Sequence, residues 1–71
     1  MYENEKLLEK IAINIRSERF KQKLSQQNLS DLTGISINSI SNIENAKQDT
    51  RISSLNAIAD ALNIKLSKLF E

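Results

Sequence analysis

A single glycine, Gly34, interrupts a 71-residue chain that contains no proline. Such a chain has few places where its backbone can turn sharply at no steric cost. Here the glycine separates two short amphipathic segments, 26–33 and 37–45. A glycine just past a helix supplies the left-handed residue that closes its last turn. Ser25 and Ser36 stand directly before the two segments, where a hydroxyl accepts a free amide hydrogen of a helix's first turn. The pattern predicts two helices hinged at Gly34. Leu29 and Leu32 are expected to face inward from the first, and Ile40 and Ile43 from the second, joined by Ile35 from the turn.

The flanking sequence extends the helical reading. In a first helix over about 4–22, Leu8, Ile11, Ala12 and Ile15 recur three and four apart and form one apolar stripe. Leu7 lies off that stripe, and Phe20 is expected to extend it one turn further. A polar loop spans 45–50. A fourth helix over about 51–62, capped by Thr50, is expected to bury Ile52, Leu55, Ile58, Ala59 and Leu62. Asn63, a residue that tolerates left-handed backbone, ends it. A short fifth helix over 66–70 carries Leu66, Leu69 and Phe70. The expectation is one all-α domain over 1–71.

Composition narrows the function classes. The chain has no cysteine and no histidine. That removes disulfides, thiolate metal sites and the commonest acid/base group. Scattered carboxylates, lysines and serines are the remaining catalytic material, and no glycine-rich phosphate loop is present. No enzyme activity, metal, cofactor or small-molecule ligand is expected. No apolar run is long enough to span a membrane. A cytoplasmic protein is expected. Net charge is only +1; six cations against four anions between residues 14 and 51 predict modest steering toward a polyanion.

The chemistry lies on the outward side of helix 37–45. Ile37, Asn38, Ser41, Asn42 and Asn45 oppose Ile40 and Ile43. Asn38 and Asn42 are four apart and stack along one edge. A carboxamide can donate and accept at once, which matches adenine N6 and N7 in the DNA major groove. Ile37 can touch a thymine methyl, and Ser39 and Ser41 can bond to bases or phosphates. The helix carries no Arg or Lys, which argues for A·T-containing contacts. A polar face alone is ordinarily a solvated face; its combination with the Gln26–Gly34 spacing and the inward isoleucines is what separates this one. Phosphate contacts are expected from Arg16, Gln26, Ser36, Asn45, Lys47, Gln48 and Arg51, at helix ends and in the loop.

Gln26, Leu29, Gly34, Ile35, Ser36, Ile40, Ser41, Ile43 and Glu44 together resemble the Cro and lambda-repressor-like, Xre-type helix-turn-helix family. So do Leu55, Ile58, Ala59, Leu62, Leu69 and Phe70. The likeness runs from about Ile15 to Phe70. It implies a five-helix, lambda-repressor-like DNA-binding domain, usually dimeric on a pseudo-palindromic operator. It also implies that Gln26 meets a phosphate, that positions 37, 38, 41 and 42 face bases, and that Arg19 and Glu44 form a salt bridge. Lys23 and Ala46 stand where this family commonly has glycine, Ser30 where it has alanine, Thr50 where it has proline, and Lys65 where a capping serine is common.

Ile64, Leu66, Leu69 and Phe70 are more apolar than a terminal segment needs; some must cover the core, and the remainder are expected to form a homodimer surface. The layout resembles small controller proteins of restriction-modification systems, or compact phage or plasmid repressors. A competing reading is a protein-interaction module, such as an antitoxin-like subunit.

Overall fold

The computed structural model describes residues 2–71, with side chains from residue 5 onward. Four α-helices and one 3-10 turn follow in order: α1 (Tyr2–Lys21), α2 (Gln26–Thr33), α3 (Ile37–Glu44), α4 (Ile52–Ala61) and a terminal 3-10 turn (Leu66–Phe70). The expected fifth helix is therefore a single 3-10 turn. Its five residues cannot sustain an α-helical ladder, and Lys65 before it makes no side-chain cap.

Side-chain caps fix the first turn of both α2 and α3. Ser25 and Asn28 form a reciprocal capping box, in which Ser25 Oγ accepts from the Asn28 amide at 2.9 Å and Asn28 Oδ1 accepts from the Ser25 amide at 2.9 Å. Gly34 adopts φ 77° and returns its N–H to the Ser30 carbonyl at 2.8 Å. The Ser30 hydroxyl donates to the Ile35 carbonyl, and Thr33 Oγ1 accepts from the Ile35 amide at 3.1 Å. Ser36 Oγ then caps α3 by accepting from the Ser39 amide at 3.1 Å. These polar closures leave the turn little backbone freedom.

The core is one cluster fed by every element: Ile11 and Ile15 from α1, Leu29 from α2, Ile40 and Ile43 from α3, Leu55, Ile58 and Ala59 from α4, then Leu62 and Leu69. Ile35 packs against it from the turn. Two side-chain amides lock its rim. Asn14 Nδ2 donates to the Leu69 carbonyl at 2.8 Å, and Gln22 Nε2 donates to the Leu62 carbonyl at 2.6 Å.

Three apolar residues expected inside lie outside: Leu32, Phe20 and Ile52 are 60–65% exposed. The helical period explains the first two. Phe20 is five residues beyond Ile15, which turns it roughly 140° off the α1 stripe. Its ring instead lies under the Arg19 guanidinium, 4.5 Å from the centroid. The inward side of α2 is set by Gln26, Leu29, Ser30 and Thr33, and Leu32 falls roughly 110° from its centre. Ile52 opens the first turn of α4 and lines a cavity with Leu7, Leu8 and Phe70. Thr50 does not cap α4; Arg51 occupies the N-cap position without a side-chain bond.

Candidate nucleic-acid interface

Helix α3 is held from behind by an ion pair. Glu44, at the end of α3, is 1% exposed and receives two bonds from Arg19 of α1. Nε donates to Oε2 and Nη2 donates to Oε1, each at 2.8 Å. The third guanidinium nitrogen, Nη1, donates to the Leu24 carbonyl at 2.9 Å. Gln26 Nε2 adds a bond to Glu44 Oε1 at 3.2 Å. The first residue of α2, the end of α1 and the end of α3 thus meet at one buried carboxylate. Such a fork fixes relative orientation through two parallel bonds. A second pair has one exposed partner: Lys21 donates to the largely covered Glu18 at 3.2 Å and, with help from Gln22, holds the Glu18 carboxyl below its usual value of 4.5.

With α3 oriented this way, Ile40, Ile43 and Glu44 are buried while Ile37, Asn38 and Asn45 are exposed and Ser41 and Asn42 are half-buried. Asn38, Ser41, Asn42 and Asn45 therefore share one outward edge. Ser39 lies about 100° from Asn38. It lines a groove with Gln48 and Arg51 between α3 and the start of α4. Asn45 Nδ2 donates back to the Ser41 carbonyl at 2.9 Å, so part of its amide serves the helix end. Ser36 spends its hydroxyl on the cap. Arg16 is half-buried and shares a second groove with Asn45 and Ala46. Lys47 and Arg51 are exposed on either side of the loop.

Of the residues expected at a dimer surface, Leu69 belongs elsewhere. It is 0% exposed and sits in the monomer's own core, so it has no area to offer a partner. Ile64, Leu66 and Phe70 are half-buried and pack on that core from the rim.

One arrangement was not anticipated from the residues. Asn42 Nδ2 donates to Gln48 Oε1 at 3.3 Å. Ala46 holds left-handed backbone, which reverses the chain and brings position 48 back beside the last turn of α3.

These features define a helix-turn-helix class of domain. The family described as helix-turn-helix, HTH_3, matches residues 15–69. The chain belongs to that Xre-type family, whose members are DNA-binding proteins and not enzymes. The chain is similar to an HTH_3 family transcriptional regulator from Vibrio cholerae. The two are 27% identical with a TM-score of 0.89, and the likeness covers 94% of this chain but only 38% of that one. A hypothetical transcription factor, NHTF, from Neisseria is 25% identical at a TM-score of 0.89, over 92% of this chain and 75% of that one. The restriction-modification controller protein C.AhdI from Aeromonas hydrophila is 27% identical at a TM-score of 0.86, over 89% of this chain and 96% of that one. No curated protein matches the sequence. Among the described residues no helix is long and apolar enough to cross a membrane.

Proposed function

We propose that this chain is a sequence-specific, double-stranded-DNA-binding transcriptional regulator, acting in the cytoplasm as a homodimer on a pseudo-palindromic operator. Helix α3 enters the major groove. Ile37, Asn38, Ser39, Ser41 and Asn42 meet base edges, and Arg16, Gln26, Ser36, Asn45, Lys47, Gln48 and Arg51 meet the backbone. Ile64, Leu66 and Phe70 supply the surface for the second copy. The observation that carries this reading is the outward edge of amides on α3, held in a fixed direction by the bidentate Arg19–Glu44 pair. Family membership supports it. The likeness to C.AhdI, nearly all of which the chain spans, favours a small controller-type regulator.

The base and phosphate roles separate in a binding series. Asn38→Ala reduces affinity for the preferred duplex by about 1–3 kcal/mol and relaxes one base position. Arg51→Ala weakens all sequences alike and flattens the salt dependence by roughly one unit of slope. Fluorescence anisotropy over a panel of duplexes and salt concentrations reads both. Uniform loss across sequences in both variants would contradict the assignment of Asn38.

A further inference from the structure

Asn42 and Gln48 lie on either side of a chain reversal. Ala46 takes φ 56°. Its N–H returns to the Ile43 carbonyl at 3.1 Å, and the Lys47 N–H returns to the Asn42 carbonyl at 2.8 Å. These paired bonds close α3 and fold the loop back along its last turn. Gln48 is thereby placed against Asn42, at 3.3 Å between Asn42 Nδ2 and Gln48 Oε1. Both side chains are half-buried, whereas Asn38 on the same edge is exposed.

We propose that Asn42 and Gln48 read one base together, and that Gln48 is a specificity-determining residue and not simply a backbone contact. The inference rests on the reading above, in which α3 lies in the major groove. A carboxamide offers two donor hydrogens and one acceptor oxygen. The bond between the two side chains uses one Asn42 hydrogen and the Gln48 oxygen. It leaves the Asn42 Oδ1 acceptor and the Gln48 Nε2 donors outside that bond. An acceptor next to a donor is the complement of adenine's major-groove edge, the N6 amine and N7. A lone asparagine can present the same pair, but it must first be ordered and can rotate its amide. Here rotation of Asn42 alone breaks the bond to Gln48, and a joint turn of both amides restores one; either way the pair leaves one acceptor and one donor, ordered in advance. Guanine offers two acceptors, O6 and N7, and its O6 would meet the Asn42 oxygen.

The test uses the full chain and duplexes in which each position of the preferred half-site carries all four bases. The wild-type protein prefers adenine at the Asn42 position by about tenfold or more. Gln48→Ala lowers that preference at least fivefold at this one position and leaves the other positions unchanged. Gln48→Glu keeps an acceptor for the Asn42 N–H but replaces the donor with an acceptor. Preference there moves to cytosine, whose N4 amine donates. In an Asn42→Ala background, Gln48→Ala has no further effect on the preference. Thermal melting by circular dichroism accompanies each variant, since a damaged loop would lower affinity for all sequences alike. A Gln48→Ala protein that keeps its preference, or loses affinity equally for every base, overturns the paired reading and leaves the regulator reading intact. A wild-type chain with no sequence preference at all overturns both.

Discussion

Among the described residues, three other than glycine hold left-handed backbone. Lys23, Ala46 and Asn63 have φ of 60°, 56° and 59°. Each follows a helix and supports the same pair of returning bonds. At Lys23 these are Lys23 N–H to Phe20 O at 3.0 Å and Leu24 N–H to Arg19 O at 2.9 Å. Left-handed backbone costs an ordinary residue roughly 1–2 kcal/mol. Part of that is recovered when glycine is avoided, because glycine leaves the unfolded chain freer. Lys23→Gly is therefore expected to raise stability by about 0.5–1 kcal/mol in urea unfolding. Gly34→Ala should lower it by roughly 0.5–1 kcal/mol on the same balance. No atom lies within 4 Å of where its Cβ would stand, so the loss at Gly34 is one of backbone alone. The caps at Ser25, Ser36 and Gly34 were legible because serine and glycine have local, position-specific chemistry. The Asn42–Gln48 bond was not, because side chains six residues apart meet only once the loop geometry is known.

At the scale of the elements, period and spacing located α2 to the residue and the other helices within one or two residues at most ends. What failed was direction around the helix axis. Phe20 and Leu32 are apolar at spacings that suit an inward face, yet the buried stripe of each helix is set by what stands opposite. Hydrophobic spacing over the five residues 66–70 does not discriminate an α-helix from a 3-10 turn. The contact that orients the elements is Arg19–Glu44. Arg19→Ala strands a buried carboxylate and is expected to cost about 3–5 kcal/mol, enough to unfold much of a domain this small. The double variant Arg19→Met, Glu44→Leu should be close to neutral in stability. Calorimetry distinguishes the two. A mild effect of Arg19→Ala would mean that the pair does not hold α3 against α1.

At the scale of the whole molecule, the proposed homodimer needs an apolar surface. The exposed apolar residues Leu7 and Ile52 line a cavity of about 200 Å³ together with Phe70, Leu8 and Leu55. Leu66 and Ile64 flank the same terminal segment. A domain of this size buries only about 60% of its unfolded surface, and further burial against a second copy would add to its stability. Leu66→Lys is expected to give a folded monomer with weak DNA binding, seen by sedimentation velocity alongside a thermal melt. An unchanged dimer would remove the terminal segment from the interface. The sequence showed that this segment is apolar. It could not show that Leu69 closes the monomer core, since core and interface draw on the same residue types.

The central claim is that α3 presents Asn38 and its neighbours to base edges. It is tested most directly by selecting bound duplexes from a random DNA pool, with the wild-type chain and Asn38→Ala in parallel. The account predicts an enriched inverted repeat of A·T-containing half-sites centred about 10–10.5 base pairs apart. It also predicts that the variant loses selection at one position, symmetrically in both halves. Retention of random duplexes without enrichment, or an identical motif from both proteins, would contradict it.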